Sequence, residues 1–244
     1  MNLEQKKKAY QELVNKFRNF IFPDGLYNPF QVPDSQNYNY QVINPFELWH
    51  GNLDAETMLI GQDWGDVSYF LLNFGTNWQN EIESTTNRNL GILFSHLGCD
   101  VGLPNPKNPN NSLSTTSTPT HKLFFTNAIL GIKQGGMQAA IQDNWMNDES
   151  CTFLKETIEI IQPKRIVTMG KVSYEIISHI YQEKTYKRLG EAIDNNGKHN
   201  DIFNSKLYIV AHCSQRGQIS RNFDQQEKDW CKIKDLIGAI DCKE

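Results

Sequence analysis

Short apolar runs and amphipathic segments alternate along most of the chain. Apolar residues recur at three- and four-residue spacing in several stretches, which is typical of helices buried on one face. The predicted helices cover residues 3–20, 85–97, 172–181 and 224–240, with a further helix that Asn147 or Asp148 caps and that ends at Ile161. Apolar runs at residues 57–60, 121–127, 165–169 and 206–211 predict buried strands. Such alternation predicts an α/β fold with three α/β/α layers around a central four-stranded parallel sheet.

The segments between these elements are mostly polar. Residues 26–50 are aromatic, rich in Asn and interrupted by proline, which predicts a long ordered loop. Residues 104–120 are nearly all Pro, Asn, Ser and Thr and predict a flexible polar loop, and residues 183–205 predict a polar connection. No repeat or change of composition divides the chain, so we expect residues 1–244 to form a single domain.

Composition places the chain among globular proteins and argues against several classes. Hydrophobic residues make up 39% of it and charged residues 21%, as in an ordinary soluble domain. No apolar run approaches the ~18 residues of a membrane span, and the first residues lack the apolar core of a secretion signal. The five cysteines include no Cys-x-x-Cys pair, which argues against a disulfide framework, a zinc ribbon or a cysteine-held iron–sulfur cluster. We therefore expect a cytoplasmic protein with reduced thiols.

Charge is distributed unevenly along the chain. The formal net charge is −4, yet residues 163–221 contain ten Lys or Arg against five Asp or Glu. One basic face on an acidic protein would explain this asymmetry, and so would solvated lysines on ordinary helices.

Groups that can do chemistry follow three of the four predicted strands. Gln62 and Asp63 follow the first strand, Asn127 ends the second and His212 follows the fourth. Parallel strands present their carboxyl ends at one edge of a sheet, so we expect these side chains to meet. Structural roles stay open for each: Asp63 or Asp66 as a helix cap, Asn127 as a strand terminator and His212 as a packed histidine.

The three side chains suit cleavage of a bond between a sugar and a nucleobase. Asn127 offers an acceptor and two donors to the amide edge of a base. His212 can donate to an oxygen that gains negative charge as the bond breaks. Asp63 can stabilise a cationic sugar or orient a water molecule. After the third strand, Gly170-Lys171 opens a helix whose amino terminus could hold a phosphate.

Four short motifs resemble those of a known family. They are Ile60-Gly-Gln-Asp-Trp-Gly65, Phe124-Phe-Thr-Asn-Ala128, Val167-Thr-Met-Gly-Lys171 and Ala211-His-Cys-Ser214. In this order they look like the motifs of the uracil-DNA glycosylase superfamily, over residues 57–222. The resemblance implies a pocket for a flipped base at the strand ends and hydrolysis of the N-glycosidic bond of uracil or a related deaminated base in DNA. It implies no metal or cofactor, and we expect a monomer whose partner is DNA containing a damaged base.

The resemblance also assigns roles to single residues. Asp63 matches the acid that activates water or stabilises the oxocarbenium sugar, and Gln62 lies in the same turn, which contacts the water and the base. Asn127 matches the residue that reads the uracil edge. His212 matches the histidine that stabilises the departing base anion.

Further positions follow from the same match. The loop from Ser214 to Arg221 matches the loop that enters the DNA at the vacated position, with Arg216 or Gln218 as its probe. The other expected contacts are Lys171 with DNA, Trp64 with the base, and Phe74 as the aromatic that stacks on the base, with Tyr69 and Phe70 as alternatives to Phe74. Strictly uracil-specific relatives have Pro-Tyr after the acid, where this chain has Trp64-Gly65. The tyrosine that blocks the methyl group of thymine in those relatives is therefore missing, and Gly65 resembles members of the family with a more open pocket.

Two other functions remain compatible with the sequence. One is a protein that binds a nucleobase or a nucleic-acid end without cleaving it, and the other is an enzyme acting on a free nucleoside or another small N-glycoside. A basic segment 163–221 at the rim of the pocket would favour DNA over a small substrate. A thiol nucleophile at Cys213, beside His212, is a further and weaker hypothesis.

Overall fold

The computed structural model of the chain describes residues 1–33, 50–71, 84–102, 122–146 and 149–241, the last four for their backbone only. The helices are α1 (Leu3–Arg18), α2 (Val67–Phe70), α3 (Thr85–Ser95), α4 (Asp143–Met146), α5 (Cys151–Ile161), α6 (Lys171–Ile180), α7 (Leu189–Asp194) and α8 (Phe223–Asp241). The strands are β1 (Leu26–Tyr27), β2 (Thr57–Gly61), β3 (Leu123–Asn127), β4 (Ile132–Lys133), β5 (Arg165–Met169) and β6 (Lys206–Val210).

The centre of the protein is a parallel sheet with the strand order β3-β2-β5-β6. The pairing register sets Gly61 opposite Asn127, and Met169 opposite Val210. The carboxyl ends of the four strands are therefore level, and the residues that follow them start from one edge. The predicted α/β fold with a four-stranded parallel sheet between helices is confirmed.

Helices cover both faces of this sheet because successive strand residues point to opposite sides. In β2, Met58 and Ile60 enter one core, which α1, α5 and α6 cover, while Leu59 enters the other, which α3 and α8 cover. In the second core the rings of Phe94 and Trp230 lie 4.8 Å apart. Burial on both faces explains why the strands read as continuous apolar runs.

Local sequence signals set the ends of several helices. Asn2 and Gln5 form a reciprocal capping box at α1, and the Ser84 side chain accepts from the Asn87 backbone N–H at the start of α3. Ser150 occupies the capping position of α5. The predicted caps of that helix, Asn147 and Asp148, lie outside the described residues, and the capping position itself falls later in the chain than predicted.

Two short elements depart from the sequence-based expectations. The connection 183–205 contains α7, whose Ala192 and Ile193 are buried. Within the predicted loop 26–50, β1 pairs antiparallel with β4, so that Leu26 faces Lys133. This ribbon carries Lys133 to the edge of the central sheet, where its backbone N–H donates to the Gly65 carbonyl. The predicted loop 104–120 lies outside the described residues.

Within the described ranges, no helix has the length and apolar character that crossing a membrane requires.

Candidate functional site

A cleft of about 660 Å³ opens at the carboxyl ends of the sheet strands. The sequence-predicted residues that line it are Gln62, Asp63, Trp64, Tyr69, Asn127, His212, Ser214 and Arg216. They come from the end of β3 and from the segments that follow β2 and β6, which the level strand ends bring together. We call this cavity the strand-end cleft.

Asp63 is held in place by three neighbours. Its carboxylate accepts from the Gly65 backbone N–H at 2.7 Å and from Gln62 Nε2 at 2.8 Å. Lys133 Nζ lies 3.3 Å from both carboxylate oxygens. Asp66, in contrast, accepts from the Tyr69 backbone N–H and caps α2. The sequence left open which aspartate of this turn caps a helix. Asp66 is the cap, and Asp63 lines the cleft.

Lys133 is a site residue that the sequence-based prediction missed. Its side chain is 4% exposed and that of Asp63 7% exposed, so the two form a buried ion pair. Nζ also donates to the Met137 carbonyl at 3.2 Å. A buried charge without a partner lowers the stability of the folded protein, so each member of the pair offsets the desolvation penalty of the other. The apolar run 128–132 ahead of Lys133 was a sequence signal that this lysine does not face solvent.

Asn127 presents a carboxamide to the strand-end cleft. The residue is 4% exposed, and within the described part of the chain its side chain makes no hydrogen bond, although it lines the cleft. It lies directly over Gly61, where an added Cβ would stand 2.4 Å from Asn127 Oδ1. A larger residue at position 61 would therefore displace the carboxamide, which occupies the space of a side chain there. Buried amides normally find partners, so this one is suited to a ligand.

His212 is held as a neutral hydrogen-bond donor. The Ser214 backbone N–H donates to its Nδ1 at 3.1 Å, so Nδ1 carries no proton and the ring proton lies on Nε2. Burial lowers the pKa of His212, and the charge of Asp63 raises it by less. The backbone turns sharply behind the ring: a Cβ on Gly217 would stand 1.9 Å from the His212 carbonyl oxygen.

Side chains occupy the space beside Gly65 in the strand-end cleft. Gly65 has φ +85°, and an added Cβ would meet Met137 Sδ at 2.7 Å and Tyr69 Cδ1 at 2.9 Å. The cleft residues Met137 and Tyr69 therefore occupy the space that a side chain at position 65 would fill. Glycine at this position does not by itself widen the cleft.

The two candidate probe residues of the loop 214–221, Arg216 and Gln218, have different environments. Arg216 is exposed, lines the cleft and donates to the Gln138 side chain, whereas Gln218 Nε2 donates back to the Cys213 carbonyl at 3.3 Å. The loop also presents Ile219, 86% exposed, in the 3₁₀ turn Gly217–Ile219. Ile219 was not predicted, since one isoleucine among polar residues gives no sign of its exposure.

Several predicted residues lie elsewhere. Arg221 is paired with Asp229 and Asp194, and Lys171 is paired with Glu175 on the surface of α6, so neither lines the cleft. Trp64 lines the cleft but is buried, packing edge-on against Phe70. Phe74 lies outside the described residues.

Cys213 is buried rather than poised in the cleft. Burial raises the pKa of its thiol to about 12, and Sγ donates to the Thr86 carbonyl. This environment argues against the thiol-nucleophile hypothesis at Cys213.

The basic segment 163–221 does not gather around the cleft. Of the ten Lys and Arg residues in that segment, Arg216 is the one that lines the cleft. Lys164, Arg165, Lys171, Lys206 and Arg221 are engaged with acidic side chains. Lys184, Lys187 and Lys198 line a separate cavity.

No protein-family model matches this chain, and no curated protein matches it.

Proposed function

We propose that the protein hydrolyses the N-glycosidic bond of uracil or a related deaminated base in DNA, as the motif resemblance to the uracil-DNA glycosylase superfamily implies. The observation that carries the proposal is that three side chains with different chemical properties line the same cleft. These are a fixed carboxylate at Asp63, a carboxamide at Asn127 that has no hydrogen-bond partner among the described residues, and a neutral imidazole donor at His212.

Each group has one task in this reaction. Asn127 pairs with the amide edge of the base, which offers both an acceptor and a donor. Asp63 stabilises the positive charge that develops on the sugar, or orients the attacking water. His212 donates from Nε2 to the base oxygen that becomes negative as the bond breaks. All three side chains are positioned before substrate arrives, so little reorganisation is needed.

Lys133 fixes the carboxylate rather than touching the base. Its ammonium contacts both oxygens of Asp63 and the Met137 carbonyl. With Gln62 and the Gly65 N–H, it leaves Asp63 few alternative orientations.

The loop after His212 is the proposed contact with the DNA stack. Ile219 is an exposed apolar side chain of the kind that enters between bases when one is extruded. Arg216, at the cleft rim, supplies a cation for the neighbouring phosphate or base edge.

A second candidate is hydrolysis of a small N-glycoside. It is favoured by the placement of the basic residues in segment 163–221. Lys184, Lys187 and Lys198 lie in a different cavity, and Arg216 is the Lys or Arg of that segment that lines the cleft. A nucleoside needs the same carboxylate, carboxamide and imidazole but no phosphate contacts.

The test is release of free base by the full chain from two sets of substrates. The first set is labelled oligonucleotides containing uracil, hypoxanthine, xanthine or a mismatched thymine, and the second is the corresponding free deoxynucleosides. Release from an oligonucleotide supports the DNA enzyme, and release from nucleosides alone supports the second candidate. Salt-dependent duplex binding without cleavage of any substrate would overturn both in favour of a binding protein.

Variants then test the site. Asp63→Asn and His212→Ala should each reduce base release at least about a hundredfold. Asp66→Asn is the matched control, because asparagine also caps a helix, and its activity should stay near that of the wild type. Unchanged cleavage in the first two variants, with their melting temperatures intact, would remove Asp63 and His212 from the mechanism.

A further inference from the structure

One exposed thiol lies outside the strand-end cleft. Cys99, Cys151 and Cys213 are buried, whereas Cys231 is exposed on α8. Burial raises the pKa of Cys99 to about 11 and that of Cys213 to about 12, which makes both poor nucleophiles. Among the described cysteines, Cys231 is the one that a reagent in solution can reach directly.

Cys231 is aligned with a histidine and a carboxylate. Its Sγ lies 3.5 Å from His96 Nδ1, and His96 Nε2 lies 3.1 Å from Glu227 Oε1. His96 is the C-cap residue of α3. Glu227 and Cys231 are one helical turn apart on α8, so they share a face. Two helices that pack on the same side of the sheet therefore bring the three side chains together.

The hydrogen-bond partners determine where the His96 proton lies. An ionised carboxylate only accepts, so the Glu227 contact places the ring proton on Nε2. Nδ1 then has a lone pair directed at the Cys231 thiol. This is the arrangement of nucleophile, general base and orienting acid.

The three groups are arranged in sequence and not around a common point. The His96 ring stands between the other two, and no set of three such side chains in the described ranges is grouped to hold a metal ion. Proton transfer along the series fits this geometry better than metal ligation.

A shallow cavity of about 540 Å³ surrounds the thiol. His96, Glu227 and Cys231 line it with Asp224, Lys228, Lys232 and Asp235. The charged residues are nearly balanced in sign, so the cavity favours a small uncharged or zwitterionic molecule over a strongly charged one.

We infer that Cys231 is a site of thiol–disulfide exchange with low-molecular-weight disulfides, with His96 as general base and Glu227 as the positioning residue. As Sγ attacks one sulfur of the disulfide, the thiol proton passes to His96 Nδ1. The Sγ–S bond forms as the disulfide bond breaks, and the departing thiolate receives a proton from the ring. Cys231 is oxidised and the released half of the disulfide is reduced by the same electron pair.

The experiment uses the full chain carrying Cys242→Ser, so that the terminal thiol does not contribute. The probe is 4,4′-dithiodipyridine, which is uncharged and releases a strongly absorbing thiopyridone. We expect one rapid phase that disappears in the Cys231→Ser variant. His96→Asn and His96→Gln should slow this phase at least about tenfold, since both remove the base and retain a polar side chain.

Glu227 and a neighbour supply the matched comparison. Glu227→Ala should slow the rapid phase several-fold, and Glu227→Gln should restore part of the rate because its amide oxygen still accepts from Nε2. Asp235→Asn, in the same cavity, should change the rate less than about twofold. Melting temperatures verify that each variant is folded. Equal rates in the wild type and both His96 variants, or a rapid phase that survives Cys231→Ser, would overturn the inference.

Discussion

Two cavities of this protein use polar residues in different ways. In the strand-end cleft, the side chains of Asp63, Asn127 and Lys133 are buried, and backbone groups of Gly65 and Met137 hold Asp63 and Lys133. The other cavity, which we call the basic cavity, has a volume of about 410 Å³ and lies near Leu207, at the opposite end of β6. It is lined by Lys184, Lys187 and Lys198 together with Tyr174, Tyr186 and His199. Its three lysines are exposed and reach in from a connection and a turn.

The difference concerns what fixes a charged side chain in space. At the strand ends, the register of the parallel sheet and the close approach of Gly61 leave each group few positions. Around the basic cavity, long exposed lysines retain rotamer freedom and are screened by water. Buried, fixed groups suit catalysis, whereas exposed lysines suit weak or general attraction of anions. Four predictions test this division, beginning with the largest expected effect.

The first prediction concerns the buried ion pair. Lys133→Met leaves the Asp63 carboxylate buried beside an apolar side chain, so we expect the free energy of unfolding to fall by about 3–5 kcal/mol. The matched change in the basic cavity, Lys187→Met, removes an exposed charge and should cost less than about 1 kcal/mol. Urea titration of both variants measures the difference.

A double variant separates loss of the pair from loss of packing. Asp63→Asn with Lys133→Met removes both charges, so it should recover much of the stability that Lys133→Met loses. Equal stability of the single and double variants would mean that the pair contributes nothing beyond packing.

The second prediction concerns the carboxamide over Gly61. Gly61→Ala places a methyl group 2.4 Å from Asn127 Oδ1, so the carboxamide must move. We expect base release to fall about ten- to hundredfold, as for removal of an aligned polar contact. Asn127→Ala added to Gly61→Ala should cause little further loss. Gly91→Ala in α3, with 4.0 Å of clearance, is the control that should retain activity. An active Gly61→Ala variant would show that Asn127 does not read the base.

Some residues of the strand-end cleft can be predicted from the sequence, and others cannot. Asp63, Asn127 and His212 were predictable because parallel strands place their following residues at one edge. Lys133 was not, because it depends on the two-residue pairing of β1 with β4, which has too few residues to produce a periodic signal. The alignment of His96 with Cys231 spans 135 positions and arises only from the packing of α3 on α8. Arg221 and Lys171 were predicted to contact DNA but form ion pairs within the protein. Counting charges along the chain does not show which acidic side chains pair with them.

The third prediction is the pH dependence of the cleft. Burial lowers the pKa of His212 below 6.5, so the neutral ring persists below that pH and base release should decline only at more acidic pH. Protonation would set an N–H on Nδ1 against the Ser214 N–H, which the present turn cannot accommodate. The ring titration is measured by NMR, with His212→Gln to assign the signal. Because the Asp63 charge raises this pKa, Asp63→Asn should move the midpoint lower still. A midpoint at or above 6.5 would contradict the assigned neutral state.

The fourth and smallest effect is expected in the basic cavity. Replacing Lys184, Lys187 and Lys198 together by glutamine should change base release from an oligonucleotide by less than about twofold, because none of them lines the strand-end cleft. Arg216→Gln should weaken duplex binding more, and it should reduce the slope of log affinity against log salt by about 0.9 if the guanidinium meets one phosphate. The reverse result, with the lysine variant losing DNA affinity and Arg216→Gln retaining it, would place the nucleic-acid contact at the basic cavity. In that case a DNA strand with its base in the strand-end cleft would also have to reach the opposite end of β6. A small N-glycoside would then be the better substrate for the cleft.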